Sequence, residues 1–181
     1  MKRIPLWLAL TALPSVFAPA HATEGPAQID TPAARANAHA GLLQILQEHQ
    51  WSLIAATDSQ SQAIAALFPA DARPYVFTFS ASNLNFQGGC NNFGGGYQIN
   101  AQGQLEAGQM QSTMMACEPA LMQADTALAA LLAQPLQIEI NWGAPPQLLL
   151  HTASNEILTL DGQVTQEAAY GPGTLIFLEV D

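Results

Sequence analysis

Apolar and polar residues alternate with a period of two along much of this chain, which is the signature of half-buried strands. The stretch YVFTFSASNLNFQGGC puts Phe77 and Phe79 on one face and Leu84 and Phe86 on one face. It predicts strands at 75–80 and 84–88, joined by a tight turn at 81–83. The stretch FGGGYQINAQGQLEAGQM predicts a second hairpin, with strands at 96–99 and Gln104–Ala107 around a turn at 100–103. A first strand is expected at 51–55, and three more at Leu136–Asn141, Gln147–His151 and 156–161. A last one is expected at 174–180, after the Gly171-Pro172-Gly173 turn. The period lengthens to that of a helix in two places. Leu42, Leu43, Ile45 and Leu46 predict a short helix over 41–50. After Cys117, Pro119 suits a first helical turn. Leu121, Ala124, Asp125, Leu128, Leu131 and Leu132 then form a stripe that Pro135 ends. Residues 58–68 read as a loop with a helical turn. Residues 23–40, rich in Ala and Pro, carry no apolar period and read as a flexible lead-in. Many short antiparallel strands with one main helix give an α+β class.

The N-terminus changes the expected compartment. Lys2 and Arg3 precede an apolar run from Ile4 to Phe17, and Ala20-His21-Ala22 follows. That order matches a secretory signal peptide over residues 1–22, with cleavage between Ala22 and Thr23. The run is too short, and too interrupted by Pro5 and Pro14, for a membrane span. No cysteine follows the cleavage point, so no lipoprotein anchor is expected. A periplasmic or secreted protein is, with 41–181 as a single domain.

Removing residues 1–22 from the 181 leaves 159 residues, enough for a real core. The segment carries two of the 4 Lys+Arg and none of the 14 Asp+Glu, so the remainder has a formal charge of −12. Only Arg35 and Arg73 are basic there. Nucleic-acid binding needs clustered cations that release counterions, and this chain has none to offer. Docking to anionic lipid headgroups is disfavoured on the same ground.

The candidate chemistry lies in 86–99, FQGGCNNFGGGYQI. A phosphate loop of the Walker type needs a Gly-Lys-Ser/Thr ending, and no lysine follows Lys2. A dinucleotide fingerprint needs a strand-loop-helix unit, whereas hairpin signals flank these glycines. Their expected use is in bulges, sharp bends or close backbone approach. Cys90 as a nucleophile would need a base, and His39, His49 and His151 are not placed to supply one. Two cysteines and three dispersed histidines show no metal-ligand spacing, so neither metal nor cofactor is expected. A Cys90–Cys117 disulfide fits an oxidising compartment. With 26 residues between the sulfurs, such a link contributes roughly 3–4 kcal/mol in the chain-entropy account. Two reduced buried thiols, or a pair too far apart in space, are the competing readings.

Three segments in order resemble the META domain, the family that includes the HslJ heat-shock proteins: GGCNNFGGGYQI, then LEAGQMQSTMMACEPALMQADTALAALL, then LLLHTASNEILTL. The family pattern Gly-Cys-Asn-x-Phe-x-Gly-x-Tyr falls on Gly89, Cys90, Asn91, Phe93, Gly95 and Tyr97. Its Thr-x-Met-Ala-Cys segment falls on Thr113, Met115, Ala116 and Cys117. Trp51 and Leu53 match the leading strand, and the resemblance covers roughly 50–162. It implies a mostly antiparallel, open barrel-like sheet with the helix packed across it. It implies an exported protein linked with heat shock, novobiocin tolerance, and secretion or motility, and it carries over no catalytic residue.

Within the motif, Asn91 and Asn92 are expected to bond the local backbone. Phe93 and Tyr97, and the methionines Met114 and Met115, are expected to pack in the core. The leading functional expectation is therefore a non-catalytic envelope module that binds an envelope protein or a small apolar ligand at a sheet face or barrel mouth. The alternative is a periplasmic hydrolase using paired carboxylates among Asp125, Glu139 and Glu156, which would have to face each other across a cleft. A third surface is the loop NWGAPPQ, where Trp142 is expected to be exposed.

Overall fold

In the computed structural model, residues 31–70 and 72–170 are described. The expected signal peptide and its cleavage point at Ala22 and Thr23 lie outside them, as does the strand expected at 174–180. The elements are α1 (Pro32–Glu48), β1 (His49–Thr57), a 3-10 turn (Ala65–Leu67), β2 (Val76–Phe79), β3 (Asn83–Gln87), β4 (Phe93–Ile99), β5 (Gln104–Ala107) and β6 (Gln111–Ser112). Then follow α2 (Pro119–Leu132), β7 (Leu136–Asn141), β8 (Gln147–His151), β9 (Ile157–Val164) and α3 (Gln166–Tyr170).

Every strand pairing is antiparallel, in the order β3-β2-β1-β9-β8-β7-β5-β4-β6. An additional β3–β4 pairing joins Asn83–Phe86 to Gly96–Phe93 and closes eight of these strands into a ring. The barrel is thus closed rather than open, with β6 added outside the ring along β4. An eight-stranded barrel is just wide enough for side chains to fill it. They do. Trp51, Leu53, Phe77, Phe79, Leu84, Phe86, Leu105, Leu136, Leu148, Leu150, Leu158 and Leu160 are buried at alternate positions of their strands. Phe86 stacks between Phe77 and Phe93, with ring centroids 5.3 and 4.6 Å away.

Two helices pack against the barrel at different places. At one, α2 lies on the 3-10 turn and buries Ala124, Leu128, Leu131 and Leu132, with Leu67 from the turn. At the other, α1 lies against β1 and β2 and buries Leu46, whose carbonyl accepts the Trp51 indole N–H at 3.0 Å. A cavity of 650 Å³ remains between α1 and the β2–β3 turn, lined by Leu43, Gln47, Phe79 and Ser80 among others.

Several boundaries differ from the sequence expectation for local reasons. Residues 32–40, expected as a flexible lead-in, form the first half of α1, which begins at Pro32 with the Thr31 hydroxyl capping Ala34 N–H at 3.1 Å. This half is solvent-exposed, so it has no apolar stripe to read. β4 begins at Phe93, three residues earlier than expected, and runs through all three glycines. The reason is crowding. A Cβ at Gly95 would sit 2.6 Å from the Gln109 carbonyl and 2.7 Å from the Met110 sulfur, because the β5–β6 link crosses there. β6 and α3 were not expected, being only 2 and 5 residues long.

Trp51 lies opposite Gly162 in the β1–β9 ladder, and its ring occupies the space a side chain would need, 2.6 Å from an ideal Cβ. Gly162→Ala is expected to lower the unfolding free energy by about 1–3 kcal/mol by forcing that ring aside. Urea denaturation followed by Trp fluorescence checks this; an unchanged midpoint would count against this packing.

Candidate functional site

The residues of the glycine–cysteine motif meet Asp125, and the meeting point explains why each is there. Asp125 sits on the buried face of α2, only 3% exposed, in a stripe that is otherwise Ala and Leu. A buried carboxylate is costly unless its lone pairs are satisfied. Here Oδ1 accepts from the Tyr75 hydroxyl at 2.7 Å and from Cys90 N–H at 3.2 Å. Oδ2 accepts from Asn91 N–H at 2.8 Å and from the Asn91 side-chain amide at 3.2 Å. Among the described residues, the carboxylate is held by four neutral donors. Gly89 is required by the same geometry. A Cβ there would collide with Asp125 Oδ1 and the Tyr75 hydroxyl. Burial, with the Asp125 carboxylate beside it, pushes the Tyr75 hydroxyl well above its ordinary value.

A second layer locks this loop to the segment before α2. Asn91 Oδ1 accepts from Met115 N–H at 2.8 Å and from the Thr113 hydroxyl at 3.1 Å. The Thr113 hydroxyl accepts in turn from Asn92 N–H at 3.1 Å, and Thr113 N–H donates to the Asn92 carbonyl at 3.0 Å. Cys90 and Cys117 are joined by a disulfide, with Cα atoms 5.8 Å apart. Phe93 stacks on Phe86, and Tyr97 meets Phe79 edge-on while its hydroxyl donates to the Ser80 carbonyl at 2.9 Å. Gly95 gives the clearance described above. Ala116 sits exposed between Met115 and Cys117.

The methionines depart from expectation. Met114 is 99% exposed and Met115 54%, so neither is in the core. The segment is pinned by its backbone, through Thr113, Met115 and Cys117, which leaves these side chains facing solvent. Met115 and the disulfide form one side of a cleft of 490 Å³, whose other side includes Arg73, Pro74 and Val76 and whose floor includes Gly88 and Gly89.

The three carboxylates of the hydrolase alternative are not brought together. Asp125 is buried in the network above. Glu139 lies on β7, where its Oε2 is 3.2 Å from His151 Nε2. Glu156 precedes β9 and accepts from the Thr152 hydroxyl at 2.9 Å. No hydrogen bond links any two of them. Among the described residues, no group of three or more His, Cys, Asp or Glu side chains could hold a metal ion. No helix there is long and apolar enough to cross a membrane. Trp142 is 71% exposed on the β7–β8 loop, as expected.

Tyr75 is the member of the site that sequence reasoning missed. It lies 50 residues from Asp125, and its position at the start of a strand looks like ordinary core. The available signal was Asp125, an acid in the middle of an apolar stripe.

The META domain family matches residues 44–165. This chain belongs to the META domain family. The match is wider at both ends than the three segments that carry the resemblance, and takes in the end of α1 and all of β9. Among solved structures, the chain is similar to a protein from Burkholderia xenovorans determined by NMR. The two share 27% identity and a TM-score of 0.58, over 69% of this chain and 88% of that one. Comparison with curated proteins gives no match.

Two outcomes test this META-domain network. Asp125→Ala strands the Tyr75 hydroxyl and the Cys90 and Asn91 amides, and is expected to cost about 3–5 kcal/mol of stability by urea denaturation. A loss below about 1 kcal/mol would be incompatible with the network. The second concerns pH. Tyr75 has its folded value raised above the ordinary 10.0, so the stabilisation tied to its neutral form is complete below about pH 10 and declines as pH rises beyond it. Urea stability is expected to fall between about pH 10 and pH 11, and less steeply in Tyr75→Phe, where the rise at Tyr97 remains.

Proposed function

We propose that this META-domain protein is exported to the bacterial envelope and works there without catalysis, as a binding module that supports tolerance of heat and drug stress. The observation that carries this reading is where the motif residues are spent. The buried carboxylate, the asparagine amide, the threonine hydroxyl and both sulfurs are consumed by one another, which leaves none of them free to attack or to transfer a proton to a substrate. The Lys2-Arg3 start, the apolar run to Phe17 and the Ala-His-Ala sequence at 20–22 support export. The disulfide supports an oxidising compartment, since such links are rare where thiols are kept reduced.

On this reading the binding surface is the cleft at the disulfide. It is lined in part by Met115, and the neighbouring Met114 is exposed; flexible thioether side chains suit an adaptable contact.

The test has two parts. The chain expressed in a Gram-negative host is expected in the periplasmic fraction with Thr23 as its N-terminal residue; cytoplasmic protein still starting at Met1 would reject export. Deletion of the gene is expected to raise sensitivity to heat or to an envelope-active antibiotic, restored by the wild-type gene. Wild-type survival under both stresses would reject the stress role.

A further inference from the structure

The cleft at the disulfide carries a charge that the rest of the chain does not explain. Beyond Arg3 the sequence has two cations, Arg35 and Arg73, against 14 acids. Arg73 is exposed at the rim of this cleft, and among the described residues no carboxylate pairs with it. The wall beneath it is different in kind. Pro74, Val76, Met115 and the Cys90–Cys117 bridge present aliphatic and sulfur atoms beside the polar Ser52, Gln87 and Asn92, and among the described residues no aromatic ring lines the cleft. Its volume of 490 Å³ lies in the range of small-molecule sites.

We propose that this cleft binds an aliphatic carboxylate of medium chain length, with the Arg73 guanidinium on the carboxylate and the chain against Pro74, Val76, Met115 and the disulfide. The proposal rests on the binding-module reading and names its ligand class. Three features select it. A guanidinium matches a carboxylate through two parallel N–H···O bonds. One lone cation suits one negative charge, whereas a phosphate group calls for more donors of positive charge than this rim has. The excess of acids elsewhere repels anions from the remaining surface, so Arg73 is where an anion gains most. The Asp125 carboxylate lies behind Gly89, and its charge is already held by Tyr75, Cys90 and Asn91. The unbranched Met115 side chain, 54% exposed, can swing to cover an alkyl chain.

The test titrates sodium decanoate and, separately, 1-decanol into the disulfide-intact protein, followed by backbone amide NMR shifts. Decanoate is expected to shift the amides of Gly88, Gly89 and Asn92, and to bind more tightly than decanol. Arg73→Gln, at an exposed position that leaves the fold intact, is expected to weaken decanoate about 10-fold or more, with decanol unchanged and Arg73→Lys recovering part of the loss. Raising the salt concentration is expected to weaken decanoate and not decanol. Equal affinities for the two ligands, or decanoate affinity unchanged in Arg73→Gln, would overturn the carboxylate assignment and leave the cleft as a neutral apolar site. Shifts confined to other parts of the barrel, or none with either ligand, would overturn the cleft as well; the stress phenotype of the deletion strain would still stand or fall separately.

Discussion

The structure turns on a negative charge placed where water cannot reach it. Asp125 sits in the buried stripe of α2, and among the described residues its hydrogen bonds come from neutral donors. Its neutralisation is dispersed over one phenol, two backbone amides and one side-chain amide. Those donors come from the approach to β2 and from the β3–β4 loop, so satisfying the carboxylate fixes three pieces of chain at once. Gly89 follows from this, because only a residue without a side chain lets the loop come so close. A hydrophobic residue at 125 would pack, but it would leave the loop's amides without acceptors. The arrangement is therefore specific in a way that oily contacts alone are not.

The disulfide and the carboxylate act on the same junction by different means. The Cys90–Cys117 link restricts the unfolded chain, contributing roughly 3–4 kcal/mol in the entropic account. The hydrogen bonds that Asn91 Oδ1 accepts from the Thr113 hydroxyl and Met115 N–H then choose one geometry from those the link permits. Together they hold Met114 and Met115 outward. A segment this firmly tied can present apolar side chains to solvent without collapsing onto the barrel, which is what a contact surface requires.

Much of the barrel was legible in the sequence because its strands are half-buried and short. The two-residue period marked Phe77, Phe79, Leu84 and Phe86, and each lies in the core. The stripe of α2 was equally readable, since one face of that helix is buried. The resemblance supplied the barrel, while its closure through the β3–β4 ladder is a tertiary fact that no local pattern encodes. The first half of α1 escaped for the opposite reason, whereas the second half was expected from Leu42, Leu43, Ile45 and Leu46. The first half is exposed, and only the Thr31-Pro32 cap marks its start. Met114 and Met115 were misread because hydrophobic residues beside a helix usually bury, whereas here neighbouring backbone atoms are bonded to the Asn91 side chain. Tyr75 was invisible as a partner of Asp125 because the bond spans 50 residues and exists only once the barrel has formed.

The ladders around the ring are unequal. β1 and β9 share eight residue pairs, while β5 and β7 share two, Gln104–Gln137 and Leu105–Leu136. A cylinder parts most cheaply along its shortest seam, and here that seam lies on either side of the excursion that contains β6, Cys117 and α2. The bridge and the hydrogen bonds of Asn91 and Asp125 moor the middle of that excursion to the β3–β4 loop, away from the seam itself. The long loop is thus held by its own mooring, so that two residue pairs suffice to complete the circumference.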